Sequence, residues 1–217
     1  MSTFAIALGL SLLGGLGGLL VASGILLFSD TARVRLVPWL VSYAVGALLG
    51  VSLLAILPEA LESLPSTHVF ATLLAGILLF FVVEKLVLWR HCHTDECEVH
   101  DTSATMVLIG DAFHNFVDGA VIAAAVMTSV PLGVSTAIAV AAHEIPQEVG
   151  DFAILLHAGY SRRRALLVNA LSGAAGAAGA LAALISFDLV PRVLPYFLAL
   201  AAASFLYVAM ADLIPGL

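Results

Sequence analysis

Two short stretches hold most of the residues that can do chemistry. One reads Gly110-Asp111-Ala112-Phe113-His114-Asn115-Phe116-Val117-Asp118-Gly119, the other Ala142-His143-Glu144-Ile145-Pro146-Gln147-Glu148-Val149-Gly150-Asp151. Residues three and four apart share a helix face. His114 and Asn115 therefore stand with Asp118, and Asp111 extends that stripe by a turn. His143, Gln147 and Asp151 form a second series, and Glu144 with Glu148 a third. Imidazole nitrogens mixed with carboxylate and amide oxygens suit borderline divalent ions such as zinc, iron or manganese. Neither stretch contains cysteine, which excludes a closed thiolate zinc site there. Two facing helices with such ligands can enclose one ion or two.

The rest of the chain must position them. Of 217 residues, 62% are hydrophobic and 11% charged, against about 45–50% and 25% in soluble domains. A water-soluble globule of this size cannot hide that much apolar surface, and disordered chains are apolar-poor. A net charge of −7 with only eight Lys+Arg argues against a nucleic-acid partner. Two cysteines cannot build a disulfide framework. What remains is an all-α, polytopic transmembrane helix bundle whose surroundings are the lipid bilayer, with 1–217 read as a single transmembrane domain.

A spanning helix needs about 20 apolar residues. Seven stretches qualify: Phe4–Phe28, Val37–Leu57, Val69–Trp89, Ala104–Thr128, Leu132–His157, Ala165–Phe187 and Val193–Met210. The first lacks a preceding basic residue and is too long for a signal-peptide core, so it reads as a retained span. Seven of the eight basic residues (Arg33, Arg35, Lys85, Arg90, Arg162, Arg163 and Arg164) fall on one face, and Arg192 is alone on the other. The positive-inside rule then puts the N-terminus outside and the basic face in the cytoplasm. Plasma membrane is the expected location. Spans two and seven end in Ile56-Leu57-Pro58 and Leu213-Ile214-Pro215, and spans one and six, which precede them, are rich in Gly and Ala. That echo predicts an inverted repeat, with spans one to three matched by spans six, seven and a missing eighth.

Both polar clusters lie near the middle of their spans. Each ionised carboxylate there costs about 2.5–3.5 kcal/mol, so Asp111, Asp118, Glu144 and Glu148 together cost on the order of 10 kcal/mol. Pro146 adds a defect, because it cannot donate to the carbonyl of Ala142. Helix packing requires none of this. Three offsets are open: a bound dication, a proton relay through His and carboxylates, or mutual hydrogen bonding that joins helices.

His114-Asn115-Phe116-Val117-Asp118-Gly119 resembles the HNxxDG motif of the ZIP (Zrt/Irt-like) family of divalent-metal transporters. His143-Glu144-Ile145-Pro146-Gln147-Glu148-Val149-Gly150-Asp151 is similar to the HExPHExGD signature of one of its subfamilies. The resemblance implies eight helices, both termini outside, frequent dimers, and movement of zinc or related ions toward the cytosol. It implies metal ligands at His114, Asn115, Asp118, His143 and Glu144, with Gln147 at a further ligand position where the subfamily has His. Some members add a carboxylate from the sixth helix, where this chain offers Asn169 and Ser172.

The expected function is transport of divalent transition metal into the cytoplasm. Zinc leads, with iron, manganese or cadmium as alternatives, and the ion dehydrates onto those six residues and Glu148. No catalytic role is expected. The competing reading is a membrane zinc hydrolase, because His143-Glu144-Ile145-Pro146-Gln147 is similar to the HExxH helix. Gln147 replaces its second histidine and Pro146 disturbs its helix, which disfavours that reading. The loop His91–Asp101 carries both cysteines, three histidines and four acids, and reads either as a cytoplasmic ion-capture segment or as a solvated acidic linker.

Overall fold

The structure, a computed structural model, describes the backbone of residues 2–25, 27–91 and 99–217. Side chains within these are described except at Asp30, Arg33, Glu84, residues 86–91, 99–107, Asp212 and Gly216. Residues 92–98, the centre of the His/Cys/acidic loop, lie outside the described set, and so does the ion-capture expectation attached to them.

The described chain is helical, with a helix over each of the seven expected spans. They are α1 (Thr3–Ile25), α2 (30–63), α3 (Ser66–His91), α4 (Val99–Thr128), α5 (Val130–His157), α6 (Arg162–Leu189) and α7 (191–213). Six of them are long and apolar enough to cross a membrane by length and composition; in α5, 28 residues long, the polar series His143–Asp151 interrupts the apolar run. The chain is an integral, multi-pass membrane protein. Serines set three of the starts: Ser29, Ser129 and Ser161 each accept a hydrogen bond from the backbone N–H three residues on, satisfying an otherwise orphaned donor. Large apolar side chains such as Leu20, Trp39, Leu54 and Leu171 face outward. That surface suits lipid.

Two helices open into π turns ahead of a proline. In α2 the π segment is Ser52–Ile56, closed by Leu57 N–H donating to the Ser52 carbonyl, and Pro58 follows. In α7 it is Val208–Leu213, closed by Ile214 N–H donating to the Ala209 carbonyl, and Pro215 follows. Proline lacks an N–H and its ring crowds the carbonyl four residues back, and a wider turn accommodates both. The Leu/Ile-Pro echo is thus also an echo in the backbone. By contrast, α5 runs unbroken through Pro146. Span six departs from the expectation of one continuous helix. It is assigned as Arg162–Gly173 and Ala175–Leu189 with Ala174 between, beside a Ser172-Gly173 pair of the kind that bends helices.

Helix pairing follows the same symmetry. α1 lies parallel to α5, with Gly14 against Val140 and Gly18 against Glu144. α6 runs beside α4, where Ser172 Oγ donates to the Leu108 carbonyl at 3.4 Å and Gly176 meets Asn115. Exchanging spans one with six and four with five maps one pair onto the other. α3 runs along α7, with His68 Nδ1 3.1 Å from the Tyr196 hydroxyl and Gly76 against Leu200 and Ala203. The main core joins Val121–Val126 of α4 to Leu198–Phe205 of α7 and Leu132–Val140 of α5.

Candidate metal centre

α4 and α5 face each other along their polar stripes. His114 Nε2 and His143 Nε2 are 2.9 Å apart, and Asp118 Oδ2 lies 3.0 Å from His143 Nε2 and 3.6 Å from His114 Nε2. Glu144 Oε1 is 3.6 Å from His114 Nε2 and 3.7 Å from His143 Nε2. One ligand atom from each of the four residues thus falls within 4.8 Å of the other three. Two imidazole nitrogens that close need something between them: one N–H, or a cation that both lone pairs face. His143 Nδ1 is 3.1 Å from the Ala139 carbonyl, so it carries the ring proton and leaves Nε2 as a lone-pair donor. This is how a metal-ligating histidine is usually oriented.

Glu144 also belongs to a second group, in which ligand oxygens of Asp111, Glu144 and Glu148 lie within 4.8 Å of one another. Glu144 and Glu148 are fully buried, and Asp111 is 4% exposed. Both oxygens of Glu144 and of Glu148, and Oδ2 of Asp111, have no hydrogen-bond partner among the described residues. Buried carboxylates left so are costly unless paired or coordinated.

Of the residues expected from sequence, His114, Asp118, His143 and Glu144 converge on one point, and Glu148 joins the neighbouring group. Asn115 and Gln147 lie beside these groups, and both meet Asp111. Asn115 Nδ2 donates to Asp111 Oδ1 at 2.9 Å, and Gln147 Nε2 donates to the same oxygen at 3.2 Å. Sequence reasoning placed Asp111 on the stripe but did not count it among the ligands. It also missed the glycines of α1: a Cβ on Gly18 would stand 2.8 Å from Glu144 Cβ, and one on Gly15 3.0 Å from Asn115 Oδ1. The run Gly14-Gly15-Leu16-Gly17-Gly18 was their only signal.

Residues 89–217 match the family described as ZIP Zinc transporter, and both polar stripes lie inside that match. The chain belongs to the ZIP family. Among its relatives, zinc transporter ZIP4 of Homo sapiens is 45% identical over 112 residues, which is 52% of this chain and 17% of that protein. Zinc transporter ZIP6 of Homo sapiens is 42% identical over 114 residues, 52% of this chain and 15% of the relative. Metal cation symporter ZIP8 of Homo sapiens is 44% identical over 115 residues, 52% of this chain and 24% of the relative. The match with these ZIP proteins thus covers about half of the chain and less than a quarter of each relative's length.

Proposed function

We propose that this chain carries divalent transition-metal ions, zinc foremost, across the membrane into the cytoplasm through the α4–α5 site. The observation that carries the reading is the convergence of His114, Asp118, His143 and Glu144 donor atoms from two facing helices. Two nitrogens and two carboxylate oxygens make four donors of the types that zinc binds. Asp118 and Glu144 would neutralise a dication, and the ion would offset their burial. Asn115, Gln147 and Glu148 lie beside this set, and the Asp111–Glu148 group is reached next by an ion moving toward the end that bears Arg162–Arg164. By the positive-inside rule that end is cytoplasmic, with the N-terminus outside. Residence in the plasma membrane and assembly as a homodimer belong to the same reading.

Vesicles reconstituted with the protein should show saturable zinc uptake that competes with manganese, iron and cadmium. A hydrolase would show none. Absence of flux from vesicles that hold folded protein would overturn the carrier assignment. The hydrolase alternative is also weakened at Gln147, whose Nε2 is engaged with Asp111.

Gly18 supplies a second test. Alanine there must displace Glu144, because the new Cβ would come within 2.8 Å of Glu144 Cβ, whereas nothing lies within 4 Å of a Cβ on Gly17. Disturbing groups that orient ligands typically costs about 10–100-fold in metal affinity. Gly18→Ala should therefore weaken zinc binding by that order, measured by competition with a fluorescent chelator, and Gly17→Ala should leave it unchanged.

A further inference from the structure

We propose that the Thr136 hydroxyl is a transient ligand on the outer half of the ion's route, met before the ion reaches His143. The proposal rests on the carrier reading and concerns a stretch of α5 outside the metal centre. Thr136 stands seven residues before His143, about two turns or ~10 Å along the helix axis. Positions seven apart share a helix face, so Thr136 continues the stripe of His143, Gln147 and Asp151 toward the outer end. Its side chain is fully buried, and Oγ1 has no hydrogen-bond partner. A helical threonine ordinarily solves that locally, by donating to a carbonyl three or four residues back. Thr128 does so, to the Ala124 carbonyl at 3.1 Å. For Thr136 the carbonyl four back is that of Leu132. It already accepts the Ser135 hydroxyl at 2.9 Å, beside the backbone N–H that an α-helix directs there.

The hydroxyl is thus left over inside an apolar wall. Around this stretch the main core joins Val121–Val126 of α4 to Leu198–Phe205 of α7, and the Phe205 ring centroid lies 6.0 Å from that of His143. Valine has nearly the same shape without a polar atom to bury, so packing by itself favours valine here. Ser11 and Ser52 are also buried without partners, but neither stands on a helix that carries expected ligands. What a lone hydroxyl offers at this position is an oxygen for a partly hydrated cation. A neutral oxygen replaces one water without holding the ion as a carboxylate does, and a route needs sites weak enough to leave. The wall is closed in this structure, so the hydroxyl acts when the wall parts to admit an ion.

The test compares Thr136→Val, Thr136→Ser and Thr128→Val in the full chain. It reads the initial rate of zinc uptake into vesicles and, separately, equilibrium zinc affinity by chelator competition. Thr136→Val should slow uptake by about tenfold, the worth of one hydrogen bond to a charged group. Its zinc affinity should match the wild type, and its melting temperature should match or exceed it. Thr136→Ser keeps the oxygen and should restore most of the rate, and Thr128→Val should leave the rate unchanged. Equal losses in Thr136→Val and Thr136→Ser would make shape the cause and overturn the proposal. A fall in affinity as large as the fall in rate would place the effect at the metal centre and overturn it as well. A wild type that carries no zinc overturns the carrier reading and this role with it. A wild type that carries zinc, beside a Thr136→Val that carries it equally fast, overturns this role alone.

Discussion

Asp118→Ala should abolish saturable zinc uptake while the protein still assembles in the membrane. Asp118 Oδ2 is the oxygen that both histidines approach, at 3.0 Å from His143 and 3.6 Å from His114. Alanine leaves two imidazoles facing each other with Glu144 as the only anion in the four-residue group. Losing an orienting partner costs about 10–100-fold in metal affinity, so losing a ligand that is also half the neutralising charge should cost more than about 100-fold. The fold should survive, because the substitution replaces a buried carboxylate, costly in itself, with a good helix former. Uptake of labelled zinc into vesicles, alongside the elution profile of the detergent-solubilised protein, checks both halves. Wild-type uptake by this variant would sink the ligand assignment.

Gly119→Ala should have the opposite profile and fail at assembly rather than at metal binding. A Cβ on Gly119 would overlap the carbonyl of Gly176, and one on Gly179 would overlap the carbonyl of Phe116. Here α4 and α6 touch backbone to backbone, and no rotamer change relieves the overlap. Overpacking typically costs about 1–3 kcal/mol where side chains can yield, and it costs more where they cannot. The helices must separate, and α4 carries His114 and Asp118 with it. Gly110→Ala on the same helix is the control: nothing lies within 4 Å of its Cβ, and alanine favours the helix by about 1 kcal/mol. Thermal unfolding in detergent should therefore show a large drop for Gly119→Ala and none for Gly110→Ala.

The contrast between Asp118 and Gly119, adjacent in sequence, shows where sequence reading works. The place of Asp118 beside His114 was legible because it depends on residue type and i,i+4 spacing, both local properties. Gly119 was the last letter of a motif, with no sign that its missing side chain lets two helices meet. Asp111 shows the same limit. Its place on the stripe was evident, but its part in a second group depends on Glu148, which reaches it from another helix. Gln147 stood at a position where the family resemblance implies a ligand, and its hydrogen bond to Asp111 could not be read from spacing, which does not tell which way an amide turns.

By itself, the sequence determined an all-helical membrane protein, its seven spans and the two polar faces at mid-span, because hydropathy and helical periodicity are written within a single helix. It also marked the paired Leu/Ile-Pro ends, where the backbone opens into π turns at Ser52–Ile56 and Val208–Leu213. Only the tertiary structure decided which helices lie together and what each polar atom faces. The pairing of α1 with α5 and of α4 with α6 depends on where glycines allow close approach. That packing makes Glu144 common to two groups and turns Asn115 and Gln147 onto Asp111. The low charged fraction told that polar groups at mid-span must be compensated. The distances between helices decide which atoms are left to do it.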